Sequence, residues 1–295
     1  METNNKQQRI LYIIIIVLSI VITFLVGRCS KSCEEGTVPP PEETAQSYNI
    51  SILLDLSDRL LDNSQIKKDT QLINYIADFF IEQHKSLTQK DLYKNGDKMK
   101  VFFYPQPQIL DINKYQEDLS VEMIVKGKGK AQIKEIVANR DTLANMKNTW
   151  HNALDKIYTN TIKTKDCTGS DIWGFFDKSA KTYCIKKGSR NILVILTDGY
   201  LYHKDSWGCI KNKIYSGIVP RTVDIQDSIA PIDIDLSGLE VLFLEINPKK
   251  STDFSKIKKL LVDWCKAMRI EHVEVAQTDL PANTKQVIEN FLKND

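Results

Sequence analysis

The sequence predicts an α/β fold, a mostly parallel central sheet with helices on both faces, preceded by one transmembrane helix. Three observations carry this reading. Short apolar runs of strand length, "NISILLDL" (49–56), "KMKVFFYP" (98–105), "NILVILTDG" (191–199), "GLEVLFLEI" (238–246) and "IEHVEVA" (270–276), recur along the chain. Between them lie segments of helical periodicity, and strands that alternate with helices are satisfied by a parallel sheet covered on both sides. Ahead of all of these, "ILYIIIIVLSIVITFLVG" (10–27) is almost wholly apolar. As a helix rising about 1.5 Å per residue it is long enough for a hydrocarbon core of about 30 Å.

The organisation follows from these runs: an N-terminal tail at 1–9, an anchor at 10–27, a Pro/Glu-rich spacer at 28–47, and a folded domain at 48–295 with a long loop at 200–237. The apolar run exceeds the core of a secretory signal and no small-x-small cleavage site follows it, which favours an uncleaved anchor. Arg28 before Cys29 is also unlike the small residue that precedes a lipoprotein cysteine. Lys6 and Arg9 on one side balance Arg28 and Lys31 on the other, so charge does not orient the segment. A short tail before a single anchor stays inside, which places the domain in a periplasm or outside the cell. The spacer "EEGTVPPPEETAQS" (34–47) is acidic and Pro-rich, suited to holding a domain off a membrane.

Each element has its own justification. Ile66, Leu72, Ile73, Ile76, Phe79 and Phe80 recur at helical spacing after the first strand, and "LSVEMIV" (119–125) reads as a short strand before the turn signal "GKGK" (127–130). Ile133, Ile136, Val137, Leu143, Met146, Trp150, Leu154 and Ile157 fall near one face of a long helix. "DIWGFFDKSA" (171–180) opens a helix carrying Asp171 in its first turn, "FSKIKKLLVDWCKAM" (254–268) is amphipathic, and "PANTKQVIENFLKN" (281–294) begins with a proline suited to a first helical turn.

Composition narrows the function classes. With 40 basic against 38 acidic residues the chain lacks the basic footprint of a nucleic-acid binder. The six cysteines, Cys29, Cys33, Cys167, Cys184, Cys209 and Cys265, have no paired metal-ligand spacing. An exported location would permit disulfides, without fixing their connectivity.

Ligands of such sheets bind beyond the carboxyl ends of the strands. Asp55, Ser57, Asp58 and Arg59 follow one strand, Asp198 follows another, and Ser170 with Asp171 begins a helix, so all three groups converge on one edge. Taken singly each has a plain explanation: Ser57 or Asp58 capping a helix, Asp171 favouring a helix dipole, Thr197-Asp198-Gly199 making a turn. Together, "DLSDR" (55–59), "TGSDIW" (168–173) and "LTDGY" (196–200) resemble, in order, the motifs of a von Willebrand factor type A (VWA) domain.

That resemblance implies a metal-ion-dependent adhesion site holding Mg²⁺ or Mn²⁺ for a partner's acidic side chain, with ligands Asp55, Ser57, Ser170 (or Thr168) and Asp198. The sequence departs from the pattern at Arg59, where the family has a second serine. A guanidinium has no lone pair to ligate a cation, so at this degenerate site either Arg59 swings out and a metal binds with one ligand fewer, or Arg59 pairs with Asp55 or Asp198 and replaces the metal. In the long loop, Tyr200, Tyr202, Trp207 and Tyr215 are partner-binding candidates.

The expected function is therefore a membrane-tethered protein-binding module with a Mg²⁺ or Mn²⁺ site and no organic cofactor. The alternative is a metal-free VWA-like scaffold of an envelope complex. A further alternative is a Mg²⁺-dependent phosphatase-like hydrolase, since a strand ending in Asp also resembles haloacid-dehalogenase-type phosphatases. Those enzymes need a second acid two residues on, where this chain has Ser57, and no acid–base pair or phosphate loop is legible, so no enzyme is expected.

Overall fold

The computed structural model describes residues 47–62, 64–85, 97–107, 112–122, 140–164, 170–201, 229, 231–248 and 250–293. They fall within the second of the two units, Met1–Thr44 and Ala45–Asp295, into which the chain divides. In chain order they form β1 (Ser47–Leu54), a 3-10 turn (Asp58–Leu61), α1 (Gln65–Lys85), β2 (Lys98–Phe102), α2 (Ile112–Asp118), β3 (Ser120–Glu122) and α3 (Arg140–Thr164). Then come α4 (Ile172–Lys178), α5 (Ala180–Cys184), β4 (Ser189–Leu196), β5 (Leu239–Ile246), α6 (Phe254–Ala267), β6 (Val273–Gln277) and α7 (Pro281–Lys293).

The strands make one six-stranded sheet in the order β3-β2-β1-β4-β5-β6. β2, β1, β4, β5 and β6 are parallel, and β3 pairs antiparallel on the β2 edge. The central strands are buried on both faces, which explains why β1, β4 and β5 read as continuous apolar runs rather than alternating ones.

Alternation sends their residues into two cores. Ile50, Ile52, Leu54, Ile192, Val194, Leu196, Leu242 and Leu244 meet α1, α3 and α7 on one side, through residues such as Phe80, Trp150 and Phe291. Leu53, Leu193, Ile195, Val241 and Phe243 meet α4, α5 and α6 on the other, through Phe175, Phe176 and Trp264. The apolar spacing of α1 puts Leu72, Ile73, Ile76 and Phe80 on its buried stripe. Its entry is set by Asp62, whose Oδ1 accepts from Ser64 N at 2.8 Å and Ser64 Oγ at 2.7 Å.

One feature of the sequence reading needs correction. Among the described residues no helix is long and apolar enough to cross a membrane. The tail at 1–9, the run at 10–27 and nearly all of the spacer lie outside the described residues, so no described helix supports the transmembrane helix, the membrane tether or the periplasmic or extracellular placement. The fold that stands is the parallel sheet flanked by helices. Cys184 and Cys265 are free and buried, and burial pushes the Cys184 thiol up to about 12, which makes it an inert core residue. The other four cysteines, the "GKGK" turn and the first apolar positions of the long helix lie outside the described residues.

Leu193 is fully buried at the centre of β4. Leu193→Ala is expected to lower the unfolding free energy by about 2–5 kcal/mol. Urea denaturation would read this as a lower midpoint at unchanged slope.

Candidate functional site

The strand order reverses between β1 and β4, and in an open parallel sheet the crevice beyond that switch point is where ligands are taken. β1 and β4 pair with Leu54 opposite Leu196, so the next rung sets Asp55 beside Thr197 on the face of Leu53 and Ile195. Asp55 N donates to Leu196 O at 3.0 Å and continues the ladder one step past the strand.

The Asp55 carboxylate is buried and shared between two neighbours. Its Oδ1 accepts from Ser170 N at 3.1 Å and its Oδ2 from Thr197 Oγ1 at 2.9 Å. Ser170 Oγ donates to Leu54 O at 3.0 Å and accepts from Leu56 N at 3.1 Å, stitching the loop before α4 to the end of β1. Asp171 then caps α4, its Oδ1 accepting from Gly174 N at 2.8 Å, and a Cβ at Gly174 would collide with that carboxylate. Asp198 is also buried, and its Oδ1 accepts from Tyr200 N at 3.1 Å across Gly199, whose φ of 96° suits glycine. Burial and then the Asp198 charge push the Asp55 carboxyl from 3.8 up to about 6, against the pull of Arg59, Thr197 and Ser57.

Arg59 does not swing out to solvent. It is buried, donates from Nη1 and Nη2 to Asp69 Oδ1 and Oδ2 at 3.2 and 2.7 Å, and from Nε to the Asp55 backbone oxygen at 3.0 Å. Asp69, fully buried on α1, also accepts from Gln65 Nε2 at 2.7 Å and from the Tyr158 hydroxyl of α3 at 2.7 Å. Burial opposes the guanidinium's charge, but Asp69, Tyr158 and Asp55 outweigh it and its pKa is raised. Burial and the Asp69 charge likewise hold the Tyr158 phenol well above its usual value. A two-pronged, fully buried ion pair of this kind ties the chain after β1 to two helices at once.

Of the sequence-predicted residues, Asp55, Ser170 and Asp198 come together. Ser57 sits at the start of the 3-10 turn without capping it through its side chain; its Oγ is buried beside the Asp55 carboxyl but makes no well-formed hydrogen bond. Tyr200 is buried in the second core rather than displayed for a partner. Thr168, Tyr202, Trp207 and Tyr215 lie outside the described residues. The reading missed Thr197, which β1–β4 register identifies once the strands are paired, and the Asp69–Tyr158 pair, which lies far from the edge motifs in sequence.

Compared with known families and curated proteins, the chain matches no family model and no curated protein. Among the described residues no group of three or more His, Cys, Asp or Glu side chains is placed to hold a metal ion. Both Asp55 oxygens are engaged by protein donors, Ser170 Oγ bonds the backbone on both sides, and the Arg59 guanidinium lies beside the Asp55 backbone. The VWA assignment and its metal-ion-dependent adhesion site are therefore withdrawn, and what remains is a Rossmann- or VWA-like α/β architecture.

Two outcomes follow. Asp69→Ala, which strands the Arg59 charge in the core, is expected to cost about 3–5 kcal/mol in urea unfolding. For Asp55 the folded pKa lies above the unfolded one, so the native state binds the extra proton between about pH 4 and 6 and stability from this group falls as pH rises through that window. Across the window the stability of the parent relative to Asp55→Asn is expected to fall by up to about 3 kcal/mol and to stay flat above it.

Proposed function

We propose that the chain is a non-catalytic, metal-free protein-binding module whose partner docks at the carboxyl edge of the sheet, over the β1–β4 crevice. The observation that carries the reading is the buried Arg59–Asp69 pair with Arg59 Nε on the Asp55 backbone oxygen, since this commits the residue at the position of the second serine to a structural ion pair beside Asp55, where it has no lone pair to offer a metal. Its charge is already balanced by Asp69. Asp55 and Asp198 therefore leave the crevice acidic, and the partner group that fits is a hydrogen-bond donor or cation, such as a lysine or arginine side chain, rather than a carboxylate.

The test pairs a metal arm with a peptide arm. Mg²⁺ or Mn²⁺ is expected to leave the melting temperature of the full chain unchanged, whereas a saturated native-state site would raise it by about 5–10 °C. On an array of basic and acidic peptides the chain is expected to select basic ones and to lose that preference in Asp198→Asn. A metal-dependent rise in melting temperature that vanishes in Asp198→Ala, or selection of acidic peptides, would overturn the reading.

A further inference from the structure

Strand β5 ends on an irregularity that neither the core nor the crevice explains. Glu245 has φ of 72°, in the left-handed region that a side chain such as glutamate rarely occupies, and the pairing of β5 with β6 shifts register between Phe243 and Ile246. Along β5, Val241 and Phe243 face the α6 side and Leu242 and Leu244 the α1 side. Regular alternation would send residue 245 toward α6, but Ile246 is the residue that joins that core. The turn at Glu245 thus redirects its carboxylate to the α1 side of the sheet.

There the carboxylate is nearly inaccessible. Its Oε2 accepts from Lys68 Nζ of α1 at 2.7 Å and from Thr278 Oγ1, just past β6, at 3.1 Å, and Lys68 also bonds Thr278. Its Oε1 is buried without a hydrogen-bond partner. A left-handed glutamate and an unsatisfied carboxylate oxygen both oppose this arrangement, and such conformations persist only where the surroundings impose them. Lys68 and Thr278 are the groups that do so.

We propose that Glu245 is a strained latch: Lys68 and Thr278 hold it in the left-handed conformation, and that hold sets the β5 wall of the crevice. The wall is tied on both sides of the latch, by Asn247 N to Asp198 O at 3.0 Å and by Thr278 N to Ile246 O at 2.9 Å. Lys68 precedes Asp69 on α1, so one helical turn grips the β1 side of the crevice through Arg59 and the β5 side through Glu245. Once released, Lys68 has Asp62 and Asp279 within electrostatic reach. Release lets residue 245 return to extended backbone and loosens the chain that follows Asp198's neighbour strand.

Amide hydrogen exchange on the full chain tests this. Lys68→Met is expected to speed exchange at Asn247 and Thr278 by about tenfold or more while Val194, at the sheet centre, keeps its rate. Adding Glu245→Gly to Lys68→Met is expected to restore the two slow amides, because glycine takes the same φ without strain and leaves no buried carboxylate. Glu245→Gly alone is expected to exchange no faster than the parent at both positions, which keeps the test decisive should Lys68→Met fail to fold. An ordinary ion pair predicts the opposite, faster exchange in Glu245→Gly and no rescue in the double variant. That pattern, an unchanged rate in Lys68→Met, or equal acceleration at Val194 would overturn the latch.

Discussion

A guanidinium does not give up its proton, so a buried arginine must be paired where it lies. Arg59 is buried at the point where the chain leaves the sheet after β1, and much else at that edge follows from how its charge is met. Asp69 meets it with both carboxylate oxygens and is itself held by Gln65 and Tyr158. The pairing joins the β1 exit to α1 and, through Tyr158, to α3. Nε on the Asp55 backbone oxygen fixes the same loop from the other side. Replacing one partner would leave a charge in the core, so these residues are bound to one another more strictly than apolar neighbours would be.

The Asp55 carboxylate depends on that frame. Its two oxygens are apportioned between Ser170 and Thr197, which requires the loop before α4 and the end of β4 to arrive at set positions. With Asp198 close by, the edge keeps two acidic groups that Arg59 only partly offsets, because its guanidinium is spent on Asp69. On the function proposed above, such an acidic edge would suit donors from a partner rather than acceptors. The same first turn of α1 carries Lys68 to Glu245, so a single helix end is in contact with both walls of the crevice.

Much of the fold was legible because it rests on local patterns. The continuous apolar runs of β1, β4 and β5 report burial on two faces, and the spacing of Leu72, Ile73, Ile76 and Phe80 reports a helix with one buried stripe. Part of the site was legible too: Asp55, Ser170 and Asp198 follow strands or precede a helix in ways that parallel topology brings to one edge. Thr197 was not singled out because its partnership with Asp55 follows from strand register, a property of two segments 142 residues apart. Asp69 and Tyr158 read as ordinary positions on helices, since nothing local marks the carboxylate that an arginine ten residues earlier will need.

By itself the sequence determined the parallel α/β sheet, the alternation of its main strands and helices though not the short α2, and the gathering of polar residues at strand ends, because periodicity and turn chemistry act over a few residues. Only the tertiary structure decided what Arg59 does. A sequence lists a positive charge near two carboxylates and leaves open whether it turns to solvent, to Asp55 or elsewhere. The choice of Asp69 depends on the depth of burial and on the approach of α1 and α3, where desolvation makes the one two-pronged partner worth more than any exposed alternative.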